Sequence, residues 1–411
     1  MVVHTNCMTL SEELNWRGFV NQSTYPDMTA IDGDPITFYW GVDPSSDSMH
    51  IGQLAMAMMI RHFIAHGHKA ILLVGGATGM IGDPDGKDSE RDLKSVEEID
   101  RNKEAIAAQY RSLFAGLEFE TVDNYDWFKD INYLHFLREI GKHFSLTQLL
   151  DRDFIKTRIG EGGAGISYAE FSYSLIQGYD FLHLYREKAV TLQIAGADQW
   201  GNSISGVQLV RKIEGAEAHI WTAPLVINKQ TGKKFGKSEG GAVWLDPAKT
   251  SPYTFYQFWL NVDDVGAIGY LKLYTLLSQE EIADIQARSE ADPGARIAQK
   301  TLAYEVTTIA HGVAPTESVE RVTQVLFGMS DITSLSEADL DLLATEIPTS
   351  TPNQTIAEIL VSTNIATSNG EARRLIEQNA IRVNGAKIVE DRELTGVNLI
   401  KKGKNTFVLV R

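Results

Sequence analysis

Residues 36–86 read ITFYWGVDPSSDSMHIGQLAMAMMIRHFIAHGHKAILLVGGATGMIGDPDG, and this stretch decides the fold. Its opening run, Ile36 to Trp40, is apolar and rich in β-forming residues; it breaks at Gly41, before an Asp-Pro turn. A helix is expected from about Met49 to His66, with Asp47 or Ser48 as N-cap and Gly67 as its stop. A second apolar strand, Ala70 to Val74, then runs into a loop carrying Gly75, Gly76, Gly79 and Gly82. Strand, helix and strand make one βαβ unit. In such a unit the strand ends and the helix N-terminus face one crevice, whose unpaired N–H groups attract phosphate. His50 and Gln53 are three residues apart and share a helix face, and Gly52 lets a flat ligand approach the backbone. A first-turn histidine serves equally as a cap or surface residue, so these residues alone leave the nucleotide reading open.

The chain has 411 residues, enough for two or three domains, and its 43% hydrophobic and 22% charged content is that of a globular protein. No apolar run is long enough to span a membrane, and the opening MVVHTNCMTL lacks the pattern of a secretion signal. The single cysteine, Cys7, excludes an intrachain disulfide and any multi-cysteine metal site. A cytoplasmic setting and no protein-held metal are expected. A net charge of −16 argues against indiscriminate nucleic-acid binding. Residues 352–411 nevertheless hold nine Lys/Arg against six Asp/Glu, which points to a C-terminal module with a partner of its own.

Outward from the first unit, GDPDGKDSER places Lys87 and Arg91 in a polar loop that departs from P-loop spacing. They either reach a polyphosphate or lie in solvent. From Asn124 to Ile159 large apolar side chains crowd together without strand alternation, as in helices packed on two sides or at a subunit interface. In SYAEFSYSLIQGYDFLHLY, Tyr173, Gln177 and Asp180 fall at i, i+4 and i+7, a polar stripe on an apolar helix that requires hydrogen-bond partners. AVTLQIAGADQWGN repeats the strand-turn-helix pattern: strand Val190 to Ile194, a turn at Gly196, then Asp198, Gln199 and Asn202 where the helix begins. A strand from Pro224 to Ile227 leads into NKQTGKKFGKSEGG, where Lys233, Lys234 and Lys237 lie among glycines. The pattern is helical from Pro252 to about Leu343. The Pro/Thr/Ser-rich stretch 345–355 has the composition of a linker. Beyond it lie two short helices and several strands with a basic rim: Arg373, Arg374, Arg382, Lys387, Lys401, Lys402 and Lys404.

Together these pieces resemble a class I aminoacyl-tRNA synthetase, and among these the bacterial-type tyrosyl-tRNA synthetases. His50-Ile51-Gly52-Gln53 looks like the HIGH signature and Lys234-Phe235-Gly236-Lys237-Ser238 like KMSKS, in the expected order. YWGVDP, GGATGMIGDPDGK, EFSYSLIQGYDF and AGADQWGN match further motifs of the family. Gln53 replaces the second histidine of HIGH and Gly236 the serine of KMSKS; glutamine can still donate a hydrogen bond.

The resemblance implies an α/β architecture. A Rossmann-type parallel-sheet catalytic domain would span residues 1–248 with a dimer-interface insertion at about 124–160. A helical domain would follow at 249–344, a linker at 345–355 and an RNA-binding module at 356–411, similar to a small ribosomal protein. It implies that Tyr39 and Asp180 bond the phenol of L-tyrosine, that Asp83, Tyr173 and Gln177 hold its ammonium, and that Gln199 holds its carboxylate. Asp43, Gly52, Gly196 and Asp198 would contact ATP or the adenylate. His50, Gln53, Lys87, Arg91, Lys234 and Lys237 would meet the phosphates or adjoining ribose. Mg²⁺ would arrive with ATP, and a homodimer would bind tRNA(Tyr) through Arg373, Arg374, Lys387, Lys401, Lys402 and Lys404. Phenylalanine would leave the phenol-binding groups unpaired. A tryptophan-specific relative, a non-catalytic RNA-binding derivative and a generic nucleotidyl transferase are the competing readings. The Tyr39/Asp180 pair, the retained His50, Lys234 and Lys237, and the C-terminal module argue against each in turn.

Overall fold

The apolar runs of the N-terminal half pair into one sheet. The computed structural model describes residues 8–84, 93–227, 232, 235, 237–238 and 241–411. By internal contacts the chain divides into two units, Met1–Thr250 with Asn261–Leu302, and Ser251–Leu260 with Ala303–Arg411.

The first unit opens with α1 (Leu10–Arg17) and β1 (Gln22–Ser23), then β2 (Thr37–Val42), α2 (Ile51–Ala65), β3 (Lys69–Val74), α3 (Gly76–Ile81), α4 (Val96–Leu113) and β4 (Phe119–Asp123). The insertion follows as α5 (Tyr125–Phe128), α6 (Tyr133–Glu139), α7 (Leu146–Leu150) and α8 (Asp153–Ile159). Then come α9 (Tyr168–Lys188), β5 (Leu192–Gly196), α10 (Trp200–Glu214), β6 (His219–Ala223) and a short hairpin of β7 (Lys237–Ser238) and β8 (Gly241–Ala242). The sheet order is β1-β6-β5-β2-β3-β4, parallel except at the β1–β6 edge. Helices cover both faces, which is why Phe38, Leu72, Leu192 and Ile220 are all buried in near-continuous apolar strands.

Two boundaries differ from expectation. The N-cap of α2 is His50, not Asp47 or Ser48. Asp47 pairs with Lys249, and Ser48 Oγ donates to its neighbour's carbonyl, Met49 O, at 2.7 Å while accepting from Gln109 Nε2 and Asp246 N. Bonds from Ile51 N to Val243 O and from Leu245 N to Met49 O keep the chain extended through His50, so the helix starts at Ile51, two residues beyond Met49. The last core strand is His219–Ala223 rather than 224–227, because Pro224 has no N–H to extend the ladder.

The second unit comprises α11 (Pro252–Leu260), α14 (Ile297–His311) from Ala303 onward, α15 (Val313–Leu326) and α16 (Glu337–Glu346); α12 (Asp264–Tyr274) and α13 (Gln279–Ala291) belong to the first. The stretch 345–355 carries β9 (Thr349–Ser350) and β10 (Gln354–Thr355). After them come α17 (Ile356–Ser362), α18 (Asn369–Glu377), β11 (Ile381–Val383), β12 (Ala386–Lys387), β13 (Glu393–Leu394), β14 (Asn398–Lys402) and β15 (Thr406–Val410). The five-stranded sheet has the order β12-β11-β14-β15-β9, with β9 parallel to β15. Strand alternation splits its side chains: Ile400, Val408 and Val410 pack with α17 and α18, whereas Leu399, Phe407 and Leu409 pack with α15 and α16. Among the described residues no helix is long and apolar enough to cross a membrane.

Candidate active site

The C-terminal ends of β2, β3 and β5, the first turn of α2 and one face of α9 enclose a cavity of about 520 Å³. It is lined by Tyr39, Asp83, Tyr173, Gln177, Asp180 and Gln199, the six residues expected at tyrosine, and also by Asp43, His50, Gly52, Gln53, Gly196 and Asp198. The helical stripe of α9 thus faces a cleft and not solvent.

At the closed end sits Asp180, buried, with Trp127 Nε1 donating to Oδ1 at 2.9 Å and Asn124 Nδ2 to Oδ2 at 3.1 Å. Burial pushes its carboxyl up to about 8, against the pull of the Asn124 and Trp127 hydrogen bonds. Asn124 is itself fixed, since Oδ1 accepts from Ala77 N at 2.7 Å and Nδ2 also reaches Thr78 Oγ1 at 3.1 Å. Trp127 stacks on His183 with centroids 4.4 Å apart. The Tyr39 hydroxyl is buried without a hydrogen-bond partner, and burial together with the nearby Asp180 carboxyl raises it well above its ordinary value. A buried, unpaired hydroxyl beside a buried carboxyl suits a ligand group that can both donate and accept.

The raised Asp180 carboxyl has a stability consequence. Between about pH 4, where the unfolded carboxyl titrates, and about pH 8 the unliganded folded chain holds a proton that the unfolded chain has released. Asp180 therefore withdraws stability as pH rises through that window. Asp180→Asn is expected to make the fall in stability between pH 5 and pH 8 shallower, read by urea unfolding of both proteins; parallel pH profiles would contradict this.

The middle of the cleft is a hydrogen-bonded acidic cluster. Asp43 accepts from Thr78 Oγ1 at 2.6 Å and from the Tyr173 hydroxyl at 2.7 Å. Burial, then the Asp43 and Asp83 charges, lifts the Tyr173 hydroxyl well above its usual range, so it stays a donor. Gln199 Nε2 donates to Asp83 Oδ2 at 2.5 Å, and Asn202 Nδ2 donates to Asp83 Oδ1 at 3.4 Å and to Gln199 Oε1 at 3.3 Å. Two more amide oxygens, Gln177 Oε1 and Gln193 Oε1, are buried without partners beside the cavity. Gly75 is required here: a Cβ would lie 2.2 Å from both Asp43 Oδ1 and Thr78 Oγ1.

At the open end His50 Nδ1 accepts from Gly52 N at 3.0 Å, and Gln53 Oε1 accepts from His50 N at 2.8 Å, closing a capping box. The glutamine that departs from the HIGH pattern therefore ties its oxygen to the helix cap and keeps two amide N–H donors in the cavity wall. A Cβ at Gly52 would meet the His50 ring at 2.8 Å. Lys87, Arg91, Lys234 and Gly236 lie outside the described residues. Lys237 begins β7, opposite Ala242, and Phe235 stacks on Tyr270 with centroids 4.2 Å apart. Among the described residues no group of three or more His, Cys, Asp or Glu could hold a metal ion.

On the second unit Arg373, Arg374, Lys387 and Lys404 are exposed. Lys401 donates to Leu326 O at 3.2 Å and lies over Phe407, while Lys402 donates to Ile365 O at 3.0 Å. Sequence reasoning missed Asn124, Trp127, Thr78 and Gln193. Asn202 was seen only as a helix-start residue, and Asn124 and Trp127 stood in a stretch whose crowded aromatics read as packing.

A profile of the class I tRNA synthetases for W and Y matches residues 32–328, and one of the tyrosine–tRNA ligase SYY-like C-terminal domain matches residues 339–411. A tyrosine–tRNA ligase of Limosilactobacillus fermentum is 42% identical over 98% of this chain and 99% of its own. Tyrosine–tRNA ligase 2 of Bacillus cereus is 43% identical over 98% and 99%. Among solved structures, a C-terminally truncated mitochondrial tyrosyl-tRNA synthetase of Aspergillus nidulans superposes with a TM-score of 0.70 at 28% identity, covering 78% of this chain and 94% of that one.

Proposed function

The chain belongs to the class I tyrosine–tRNA ligases, and from that membership we propose how its own residues divide the work. Enzymes of this family join L-tyrosine to ATP, releasing pyrophosphate, and pass the tyrosyl group to tRNA. In our reading Tyr39 and Asp180 bond the phenol, with Asn124 and Trp127 holding the Asp180 carboxyl. Asp83, Tyr173 and Gln177 take the ammonium, and Gln199 the carboxylate. The single observation that carries this is the Asp180 carboxyl, gripped on both oxygens, beside an unpartnered Tyr39 hydroxyl at the closed end of the cleft.

The tyrosine carboxylate is already a nucleophile, so its attack on the α-phosphorus needs no general base. One carboxylate oxygen forms the new O–P bond as the bond to pyrophosphate breaks. What the protein supplies is alignment and positive potential on the leaving group. The first turn of α2, with His50 and the Gln53 amide, lies where the strand ends open. Lys87, Arg91, Lys234 and Lys237 are proposed to add charge to the same phosphates, and Asp43, Gly196 and Asp198 to contact the adenylate. Mg²⁺ enters as the companion of ATP. The terminal ribose hydroxyl of tRNA then attacks the adenylate carbonyl and AMP leaves.

ATP–pyrophosphate exchange tests the reading: tyrosine supports it, and tryptophan and phenylalanine do not. Exchange with tryptophan would favour the other specificity that shares this fold. We further propose a cytoplasmic homodimer joined through the 124–160 insertion, where Tyr133, Leu134, Leu146 and Ile159 expose apolar side chains in the isolated chain.

Arg373, Arg374, Lys387 and Lys404 are proposed to grip tRNA, with Lys401 and Lys402 largely spent on the fold. Changing Arg373 and Arg374 to Ala is expected to weaken tRNA binding by about 10-fold at low salt and to flatten its salt dependence by about two log units per log of salt. Filter binding over a salt series measures both, and unchanged affinity at every salt concentration would remove the module from tRNA recognition.

A further inference from the structure

The insertion also reaches the amino-acid end of the cleft. Arg152, the residue before α8, sends its guanidinium across to α10, where Nη1 donates to Asn202 Oδ1 at 3.2 Å and Nη2 to Ser205 Oγ at 2.6 Å. Asn202 and Ser205 are three residues apart on one face of α10, and both are buried. The nitrogen end of the same Asn202 amide bonds Asp83 and Gln199. An asparagine amide is nearly symmetric in shape, so something must decide which end faces the acid. Guanidinium can only donate, so Arg152 admits only the oxygen and turns the N–H donors towards Asp83. Without it, the buried amide oxygen loses its donor and Asn202 is held from the acid's side alone, so Asp83 and Gln199 lose a fixed partner.

We propose that Arg152 is a positioning residue for tyrosine. By setting the orientation of Asn202, it fixes Asp83 and Gln199 in the geometry that receives the ammonium and carboxylate of the amino acid. This rests on the roles given above to Asp83 and Gln199. The insertion thus shapes the substrate site from a position that never touches substrate, and the effect is confined to the amino-acid half of the cleft.

The test uses the full-length enzyme, with tyrosine affinity from equilibrium dialysis and the KM for ATP from pyrophosphate exchange. Arg152→Ala is expected to weaken tyrosine binding by about tenfold and to leave the ATP KM within twofold. Arg152→Lys, which still only donates, recovers most of the loss. Arg152→Ala combined with Asn202→Ala is no weaker than Asn202→Ala alone, because both act through one amide. Equal losses for tyrosine and ATP in Arg152→Ala, or additive effects in the double variant, would overturn the proposal. Unchanged tyrosine affinity in Arg152→Ala while Asp83→Asn binds poorly would overturn it and leave the Asp83 assignment standing. Unchanged affinity in Asp83→Asn would overturn that assignment itself.

Discussion

Asp180→Ala is expected to lower kcat/KM for tyrosine in pyrophosphate exchange by roughly 10³-fold while changing that for phenylalanine far less. The carboxyl is buried and accepts from Trp127 and Asn124. Removing it strands two buried donors and, in the proposed reading, takes away the partner of the phenol. Each buried donor left without a partner costs about 1–3 kcal/mol, and about 1.4 kcal/mol is tenfold in rate. Phenylalanine never used the acceptor, so the preference between the two amino acids collapses chiefly through the loss on tyrosine. Exchange assays with both amino acids read the ratio. A variant that keeps its preference for tyrosine would move phenol recognition away from Asp180.

His50→Ala is expected to reduce the maximal rate of tyrosine activation by about 10²–10³-fold with little change in the KM for tyrosine. That is the usual range for removing one preorganised donor from a site where charge develops. The same change removes the N-cap of α2, where His50 Nδ1 meets Gly52 N, and so lowers stability by about 1 kcal/mol. His50→Asn separates the two effects, because asparagine caps helices well but is too short to reach as far as imidazole. Stability should return in that variant and the rate should not. Recovery of both would reduce His50 to a helix cap.

What the sequence revealed follows from how locally each feature is encoded. The β2–α2–β3 unit and the stripe of Tyr173, Gln177 and Asp180 are contiguous, and strand and helix periodicity place their side chains before any tertiary contact is known. The clamp on Asp180 is not local. Trp127 is 53 residues from Asp180 and Asn124 is 56, and nothing in their own neighbourhood distinguishes an indole that donates to a buried carboxyl from one that packs. The start of α2 failed for a related reason. Asp47 and Ser48 are good caps by type, but Lys249, Gln109 and Asp246 engage them, and a backbone bridge to Trp244 holds His50 extended. Composition at 345–355 carries no sign that Thr349–Ser350 pairs with Leu409–Val410 or Gln354–Thr355 with Glu393–Leu394, because both partners lie far along the chain. Arg152 carried no signal at all, since its action depends on a helix 50 residues away.

The most direct measurement is a crystal structure of the protein with tyrosine and a non-hydrolysable ATP analogue bound together. Both ligands are expected in the one cleft, with the phenol oxygen within hydrogen-bonding distance of the Tyr39 hydroxyl and the Asp180 carboxyl. The α-phosphate is expected beside the first turn of α2, in line with the tyrosine carboxylate. Tyrosine bound with its ring turned away from Asp180, or a nucleotide seated outside this cleft, would contradict the proposed function.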